Sequence, residues 1–367
     1  MKIYLVDLES VESRYTGEWK TYVPKLLRDN GFDVTVIEGP TDIPPATSPG
    51  AFLNFGGTNI YKADQLMQIS RLFCDNVIKP GDHFLFTDAW NPSIINLKYM
   101  SELLNIPVTI HALFHAGNYD ENDFLGRLIG NAPWIHYAEK AFYHAIDYNY
   151  FATEAHVRIF FDNLINDGYK NENPWYDEDW AERYDSGKIM LTGWPMDYMV
   201  DTLAPYKNLP KRDLILFPHR IAPEKQVDIF RDLALQLPQY EFIVCQDTQL
   251  SKHEYHTLLG QAKMVFSAAK QETLGIVGFE GSIVGAIPMV PDRVSYTEMY
   301  EPIFKYPSEW TENWEQYIIH RNSIVSTIVN HMENYATRMP ILEKQSTSLL
   351  TNFFTATKLI DNLKRLS

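Results

Sequence analysis

The sequence contains few cysteines and no long uninterrupted apolar segment. Its 367 residues include two cysteines, Cys74 and Cys245, which lie far apart along the chain. Two cysteines cannot form a four-cysteine zinc site, and their scarcity suggests a reducing, cytoplasmic setting. No run of about 18 apolar residues occurs, so we expect no membrane-spanning helix and no membrane partner. The first seven residues lack a cleavable signal pattern and are predicted to form a strand.

Positive charge is also scarce. The chain has a formal net charge of −15, and residues 1–205 hold 29 Asp and Glu against 15 Lys and Arg. Residues 206–367 are nearly balanced, with 18 acidic and 17 basic side chains. These totals argue against a broad basic groove for a nucleic-acid backbone.

Several catalytic and phosphate-binding motifs are missing. The sequence has no G-x4-G-K-[ST] loop, no G-x-G-x-x-G after the first predicted strand and no G-x-S-x-G elbow. Kinase-like phosphate loops, dinucleotide oxidoreductases and serine hydrolases of that type therefore lack support.

Short apolar runs alternate with helical patterns along the whole chain. In the first half the predicted strands are residues 2–7, 33–38, 53–55, 83–88 and 107–114, with helical segments at 18–30, 62–75 and 92–104. In the second half they are residues 213–219, 241–245, 263–267 and 287–290, with a helix at 223–237. This alternation predicts an α/β fold with parallel sheets covered by helices on both faces.

The alternation of predicted strands and helices is interrupted once along the chain and then resumes. Residues 193–195 and 205–212 are predicted to connect two Rossmann-like domains, 1–205 and 206–340, and residues 341–367 to form a helix that packs back on the first domain. Residues 167–187 have little periodicity and are predicted to be a surface loop or lid.

Two cations, Arg220 and Lys225, follow a predicted buried strand of the second half. Ligands of open α/β sheets bind outside the carboxyl ends of the strands. An Arg fork and a Lys point charge suit a diphosphate there. The alternative is a surface pair neutralised by Glu224 or Asp228.

Two carboxylates, Glu272 and Glu280, flank the predicted start of a helix at Gly275. Free N–H groups at a helix start attract anions, and a carboxylate binds sugar or ribose hydroxyls. Acidic residues that merely complement the helix dipole are the alternative.

Together these residues resemble the donor-site signature of retaining GT-B glycosyltransferases of the family-4 type, in which the two carboxylates form an E-x7-E arrangement. The resemblance implies two Rossmann-like domains with parallel sheets facing across a cleft. It also implies a nucleotide-diphosphate sugar as donor, expected to be a UDP-sugar, with no metal or other cofactor. Asp177, Glu178 and Asp179 match a bare D-x-D, which binds manganese in another glycosyltransferase class, but an acidic surface turn is the favoured interpretation.

The resemblance also implies residue roles in the second half. Arg220 and Lys225 would neutralise the leaving diphosphate, Glu272 would contact sugar hydroxyls, and Glu280 would hold the ribose. The backbone N–H groups that would bind phosphate belong to Leu274, Gly275 and Ile276.

In the first half, these families place a histidine near the donor sugar, after a mid-domain strand. His115 at the strand end is favoured over His111, which is expected inside the sheet; either could also be structural. Residues 14–19 occupy the place of a Gly-rich loop but hold one glycine, Gly17. Asp88, and less so His111, are acceptor-site candidates, although Asp88 could instead cap the next helix.

Residues 217–220 (FPHR) and 291–298 (PDRVSYTE) resemble a branch that glycosylates modified nucleic acid, including tRNA-queuosine mannosyltransferases and enzymes of tailed-phage genomes. This implies hydroxymethylcytosine in phage DNA as acceptor, in the infected host cytoplasm. Two alternatives remain open. One is a transferase acting on tRNA, a glycan or a small molecule, and the other is a non-catalytic protein that binds nucleotides or nucleic acid.

Overall fold

The structure is a computed structural model that describes residues 1–10, 14–43, 54–165 and 187–366. The Asp177–Asp179 motif and the predicted loop at 167–187, except its last residue, lie outside these residues. The chain folds as two compact units. The first unit comprises Met1–Ala152, Val157–Gly193 and Thr357–Ser367, and the second comprises Thr153–His156 and Trp194–Ala356. The boundary after Gly193 lies earlier than the one predicted after residue 205.

The first unit is built on a parallel sheet. Within the described residues its strands are β1 (Lys2–Val6), β2 (Asp33–Ile37), β3 (His83–Phe86), β4 (Thr109–Leu113), β5 (Tyr148–Phe151) and β6 (Ile189–Leu191), in the order β2-β1-β3-β4-β5-β6. The helices around it are α1 (Tyr15–Asp29), α2 (Phe55–Cys74), α3 (Ser93–Leu103), α4 (Phe124–Ile129), α5 (Pro133–Ala145) and α6 (Glu154–Phe160), which continues as a π-helical turn at Phe161–Ile165. The central strands are buried on both faces, which explains their nearly continuous apolar sequences.

The second unit has its own parallel sheet. The strands are β7 (Arg212–Phe217), β8 (Glu241–Val244), β9 (Ala262–Phe266), β10 (Ile287–Pro291) and β11 (Lys305–Tyr306), in the order β11-β10-β9-β7-β8. The helices are α7 (Tyr198–Leu203), α8 (Val227–Gln236), α9 (Lys252–Gln261), α10 (Ile276–Ile283), α11 (Tyr296–Met299), α12 (Trp314–Glu333) and α13 (Tyr335–Asn352). Short 3-10 turns lie at Ala204–Tyr206, Pro223–Lys225, Cys245–Asp247, Pro302–Phe304 and Ser308–Thr311.

The C-terminal residues differ from the predicted single crossing helix. Helix α13 remains with the second unit, and only the last helix, α14 (Thr357–Arg365), belongs to the first. There Lys364 donates to Asn30 Oδ1 at 2.9 Å, and Leu363 is completely buried.

The parallel α/β organisation is confirmed, but two predicted segments are wrong. Phe55 does not end a strand; it begins α2, because the Asn54 side chain accepts a hydrogen bond from the Gly57 N–H at 3.1 Å and caps the helix. Residues 14–19 are not a loop, since α1 begins at Tyr15 and includes Gly17 in its first turn. Among the described residues, no helix is long and apolar enough to cross a membrane.

Candidate functional site

The loops after β7 and β9 bring Lys225 and Glu272 into contact. Lys225 ends a 3-10 turn and is buried, with 6 % of its surface exposed. Its Nζ lies 3.0 Å from Glu272 Oε2 and also donates to the Gln271 carbonyl. Because parallel strands end at the same edge of a sheet, two loops distant in sequence place opposite charges side by side.

The surroundings of Glu272 favour its ionised form. Burial by itself would raise the pKa of this carboxyl, but the Lys225 ammonium, then His219 and the Gly275 N–H, together outweigh it and lower the pKa. The Tyr296 hydroxyl lies 3.5 Å from Oε2, and Ser295 Oγ donates to the Glu272 carbonyl at 3.2 Å. Glu272 is therefore an anion held from several sides, and its side chain remains 19 % exposed.

Gly275 sets the start of α10. Its φ of +66° is a left-handed conformation, and a Cβ there would lie 2.6 Å from Cε1 of Tyr296. Gly275 has no side chain with which to cap α10, and its carbonyl accepts from the Gly278 N–H at 3.0 Å, so no side-chain acceptor caps the first turn. Leu274 is buried and Ile276 is half-buried. The predicted amide-rich helix start is thus present beside Glu272.

Arg220 is engaged by a carboxylate only four residues away, and a diphosphate would have to replace that partner. Its guanidinium forms an ion pair with Glu224, which is almost completely buried, while the Arg220 side chain is 25 % exposed. This is the neutralising partner named as the alternative in the sequence analysis. Asp228 instead faces Arg231. The strand predicted at residues 213–219 ends at Phe217.

Sequence reasoning assigned no role to His219, whose ring is within electrostatic range of Lys225, Glu272 and Arg220. Burial, and next the charge of Lys225, lower the pKa of its ring to about 4 despite the opposing effect of Glu272. The ring packs edge-on against Phe217, with centroids 5.1 Å apart. The signal available in the sequence was its position at the end of a buried strand, directly before Arg220.

Glu280 lies on α10 with different neighbours from those of Glu272. It accepts a hydrogen bond from the Tyr255 hydroxyl at 2.7 Å. Burial, helped by the nearby Glu280 charge, raises the pKa of Cys245 to about 12. The second carboxylate of the E-x7-E arrangement thus lies near the end of β8, where Cys245 follows the strand.

His115 follows β4 in the first unit, and both of its ring nitrogens are engaged. Nδ1 lies 2.7 Å from the Tyr15 hydroxyl and Nε2 lies 2.7 Å from the Thr87 carbonyl. A carbonyl can only accept, so Nε2 carries the proton and Nδ1 accepts from Tyr15. Burial lowers the pKa of the ring in spite of Asp88 nearby, so His115 is neutral at pH 7.

His111 is excluded as an acceptor-contacting residue. It is completely buried in β4, where its Nε2 lies 2.9 Å from His83 Nδ1 and its Nδ1 lies 2.8 Å from the Tyr150 hydroxyl. Burial, with the neighbouring His83, lowers the pKa of the ring to about 3.

Asp88 does not cap the following helix. Its Oδ1 accepts from the Trp90 N–H at 3.0 Å, and its Oδ2 lies 3.9 Å from Lys62 Nζ. The Asn91 side chain accepts from Ser93 N instead. Gly17 lies in the first turn of α1 and not in a loop, and its role in donor binding stays a prediction. Throughout the described ranges, no group of three or more His, Cys, Asp or Glu side chains could hold a metal ion.

Comparisons with known proteins identify the fold. No protein-family model and no curated protein matches this sequence. A sucrose-phosphate synthase from Thermosynechococcus elongatus is similar in structure, with a TM-score of 0.60 and 14 % identity over 100 % of this chain and 98 % of that chain. An α,α-trehalose-phosphate synthase (UDP-forming) from Burkholderia vietnamiensis gives a TM-score of 0.58 and 12 % identity, covering 100 % and 99 % of the two chains.

The catalytic domain of starch synthase IV from Arabidopsis thaliana, bound to ADP and acarbose, also gives a TM-score of 0.58, with 10 % identity over 100 % of this chain and 98 % of that chain. These neighbours are GT-B glycosyltransferases. The two-unit α/β architecture is the GT-B fold, as predicted.

Proposed function

We propose that this chain is a glycosyltransferase that moves a sugar from a nucleotide-diphosphate sugar to a hydroxyl acceptor. The observation that carries the proposal is the Lys225–Glu272 pair beside the uncapped start of α10, at the carboxyl edge of the second sheet. A cation, a carboxylate that can accept from hydroxyls and N–H groups at a helix start are three features that suit a sugar diphosphate.

The proposed chemistry is mainly electrostatic. Negative charge grows on the departing diphosphate, and donors already fixed in place stabilise it without reorganising. Lys225 and the N–H groups of residues 274–276 supply such donors. The Gly275 N–H exchanges the Glu272 carboxylate for phosphate, and Arg220 adds a second cation by exchanging Glu224 for phosphate. Glu272 then binds sugar hydroxyls and Glu280 the ribose. The part assigned to His115 rests on the sequence resemblance alone.

The proposal also covers the nucleotide of the donor and the stereochemistry of the transfer. The resemblance favours a UDP-sugar, retention of configuration and no required metal. One structural neighbour is named as UDP-forming and another was solved with ADP. Both nucleotides therefore belong in the first assay.

For the acceptor, the proposal is a hydroxymethylated base in phage DNA. It is supported by the resemblance of residues 217–220 and 291–298 to nucleic-acid-modifying enzymes. The excess of acidic residues in 1–205 disfavours binding to the backbone of duplex DNA, because such binding depends on Lys and Arg contacts to phosphate. A tRNA, a glycan or a small molecule is the alternative acceptor.

The test measures nucleoside diphosphate binding and sugar transfer by the full chain. UDP-, ADP- and GDP-sugars are offered with hydroxymethylated DNA, unmodified DNA, tRNA and free sugars. Arg220→Ala and Glu272→Ala are each expected to lower turnover at least about a hundredfold, because each removes a group aimed at the reacting donor. Each variant also leaves a buried partner, Glu224 or Lys225, without its counter-charge and should melt at a lower temperature than the unaltered chain, so turnover is measured at a temperature at which all the proteins are folded.

Arg231→Ala is the matched control, since Arg231 also forms ion pairs in the second unit but is 48 % exposed and bonded to Asp247. It should leave turnover unchanged. Full activity of Arg220→Ala and Glu272→Ala would remove the site assignment and favour a non-catalytic binding protein. Failure to bind any nucleoside diphosphate would overturn the proposed function.

A further inference from the structure

His219 is a buried group that the proposed chemistry leaves unused. Its residue surface is 5 % exposed, and it lies close enough to Lys225, Glu272 and Arg220 for all three charges to act on its ring. It follows β7 at the carboxyl edge of the second sheet, where ligands of such sheets bind.

The hydrogen bonding of the His219 ring is incomplete. Nε2 of the buried ring has no hydrogen-bond partner among the described residues, and the Phe266 backbone carbonyl lies close enough to the ring to raise its pKa against the larger effect of burial. Buried polar atoms in folded proteins are usually paired, and an exception requires an explanation such as a missing ligand.

The protonation state limits what that partner can be. Burial and the Lys225 charge lower the pKa of the ring to about 4, which keeps it neutral at pH 7 with one donor and one acceptor nitrogen. The nearby Phe266 carbonyl can only accept, and because Nε2 has no partner it favours the proton on Nδ1. Nε2 is then an acceptor. A diphosphate offers only acceptor oxygens at neutral pH and does not suit it. A hydroxyl, which can donate, does.

We propose that Nε2 of His219 accepts a hydrogen bond from a hydroxyl of the transferred sugar, which makes His219 a residue that determines donor-sugar specificity. The inference rests on the proposed function, which places the sugar beside Glu272. Two acceptors of different kinds, a carboxylate and a neutral imidazole, then bind two hydroxyls of one sugar.

The experiment compares two dissociation constants by calorimetry, one for the nucleoside diphosphate and one for the nucleotide sugar. In His219→Phe the aromatic contact with Phe217 is kept and the acceptor is lost. The nucleotide sugar is expected to bind about tenfold more weakly, as for one lost buried hydrogen bond, while the nucleoside diphosphate binds within about twofold of the unaltered chain. A donor analogue that lacks the relevant hydroxyl should bind both proteins equally.

Two further variants separate this role from a structural one. His219→Gln retains an acceptor oxygen and should recover nucleotide-sugar binding to within about threefold. His331→Phe is the matched control, because His331 is equally buried, has an unpartnered Nδ1 among the described residues and lies on α12. It should change neither constant.

Equal weakening of both constants in His219→Phe and His219→Gln, or no change in either, would overturn the inference while leaving the proposed function in place. An unaltered chain that binds no nucleoside diphosphate would overturn both.

Discussion

The ion pair between Lys225 and Glu272 is largely removed from water, so its members depend on each other. Replacing one partner of such a pair leaves a buried charge uncompensated, which costs more than the pair contributes. We expect Lys225→Met to lower the free energy of unfolding by about 3 kcal/mol, measured by urea denaturation. The double variant Lys225→Met/Glu272→Met should recover most of that loss and remain inactive. A double variant as unstable as the single one would show that the Glu272 charge is not what Lys225 compensates.

The same pair makes stability depend on pH. The pKa of Glu272 is lower in the folded chain than its ordinary value of 4.5, so its contribution is complete above that pH and is lost as the pH falls through the lowered folded value. The difference in unfolding free energy between the unaltered chain and Glu272→Gln should therefore be largest at neutral pH and shrink below about pH 4. A difference that stays constant down to about pH 3 would contradict this.

The charged residues of the site were easier to predict from the sequence than the ion-pair partner of each one. Arg220, Lys225 and Glu272 follow buried strands, and parallel topology alone requires strand ends to meet at one edge. Which carboxylate each cation faces depends on turn geometry that periodicity does not encode. Lys225 turns inward to Glu272 because a 3-10 turn, not a helix, precedes α8. For the same reason Arg220 pairs with Glu224 only four residues away.

Among the secondary-structure elements, the start of α10 depends most clearly on a single backbone conformation. Gly275→Ala would place a side chain at φ +66° and 2.6 Å from the Tyr296 ring. We expect it to destabilise the fold by about 2–4 kcal/mol, combining left-handed strain with overpacking, and to weaken nucleoside diphosphate binding by displacing the helix start.

Gly31→Ala is the control for Gly275→Ala. Gly31 has φ +88°, and no described atom lies within 4 Å of the position that an alanine methyl group would take, so it tests left-handed strain alone. It should cost about 1–2 kcal/mol and leave binding unchanged. If the two variants cost the same, the Tyr296 contact is not the reason that glycine is required at the helix start.

The strands were predicted more accurately than the starts of the helices. Residues 2–7 were predicted as a strand and β1 spans Lys2–Val6, because a strand buried on both faces shows an unbroken apolar run. The start of α1 was missed, since Gly17 lowers the helical propensity of the segment. Tertiary contacts compensate: Tyr15 and Trp19, one turn apart, both pack against the His115 ring.

At the scale of the whole molecule, sequence patterns predicted the class of fold but not where each unit ends. The break after Gly193 falls within residues 193–195, which were predicted as part of the connection, whereas the polar stretch 205–212, where the second domain was predicted to begin, lies inside the second unit. The return of α14 to the first unit depends on a few buried aliphatic side chains, Leu359, Ile360 and Leu363.

Two equivalent core substitutions test this division of the chain. Leu363 on α14 and Leu349 on α13 are both completely buried, but the first belongs to the first unit and the second to the second. Each Leu→Ala change should cost about 3 kcal/mol through lost contacts and a cavity. Parts of a protein unfold locally as cooperative units. Leu363→Ala should therefore reduce hydrogen-exchange protection in β1 and β3, whereas Leu349→Ala should reduce it in β9 and β10. Loss of protection in the same strands by both variants would mean that the two units do not open separately.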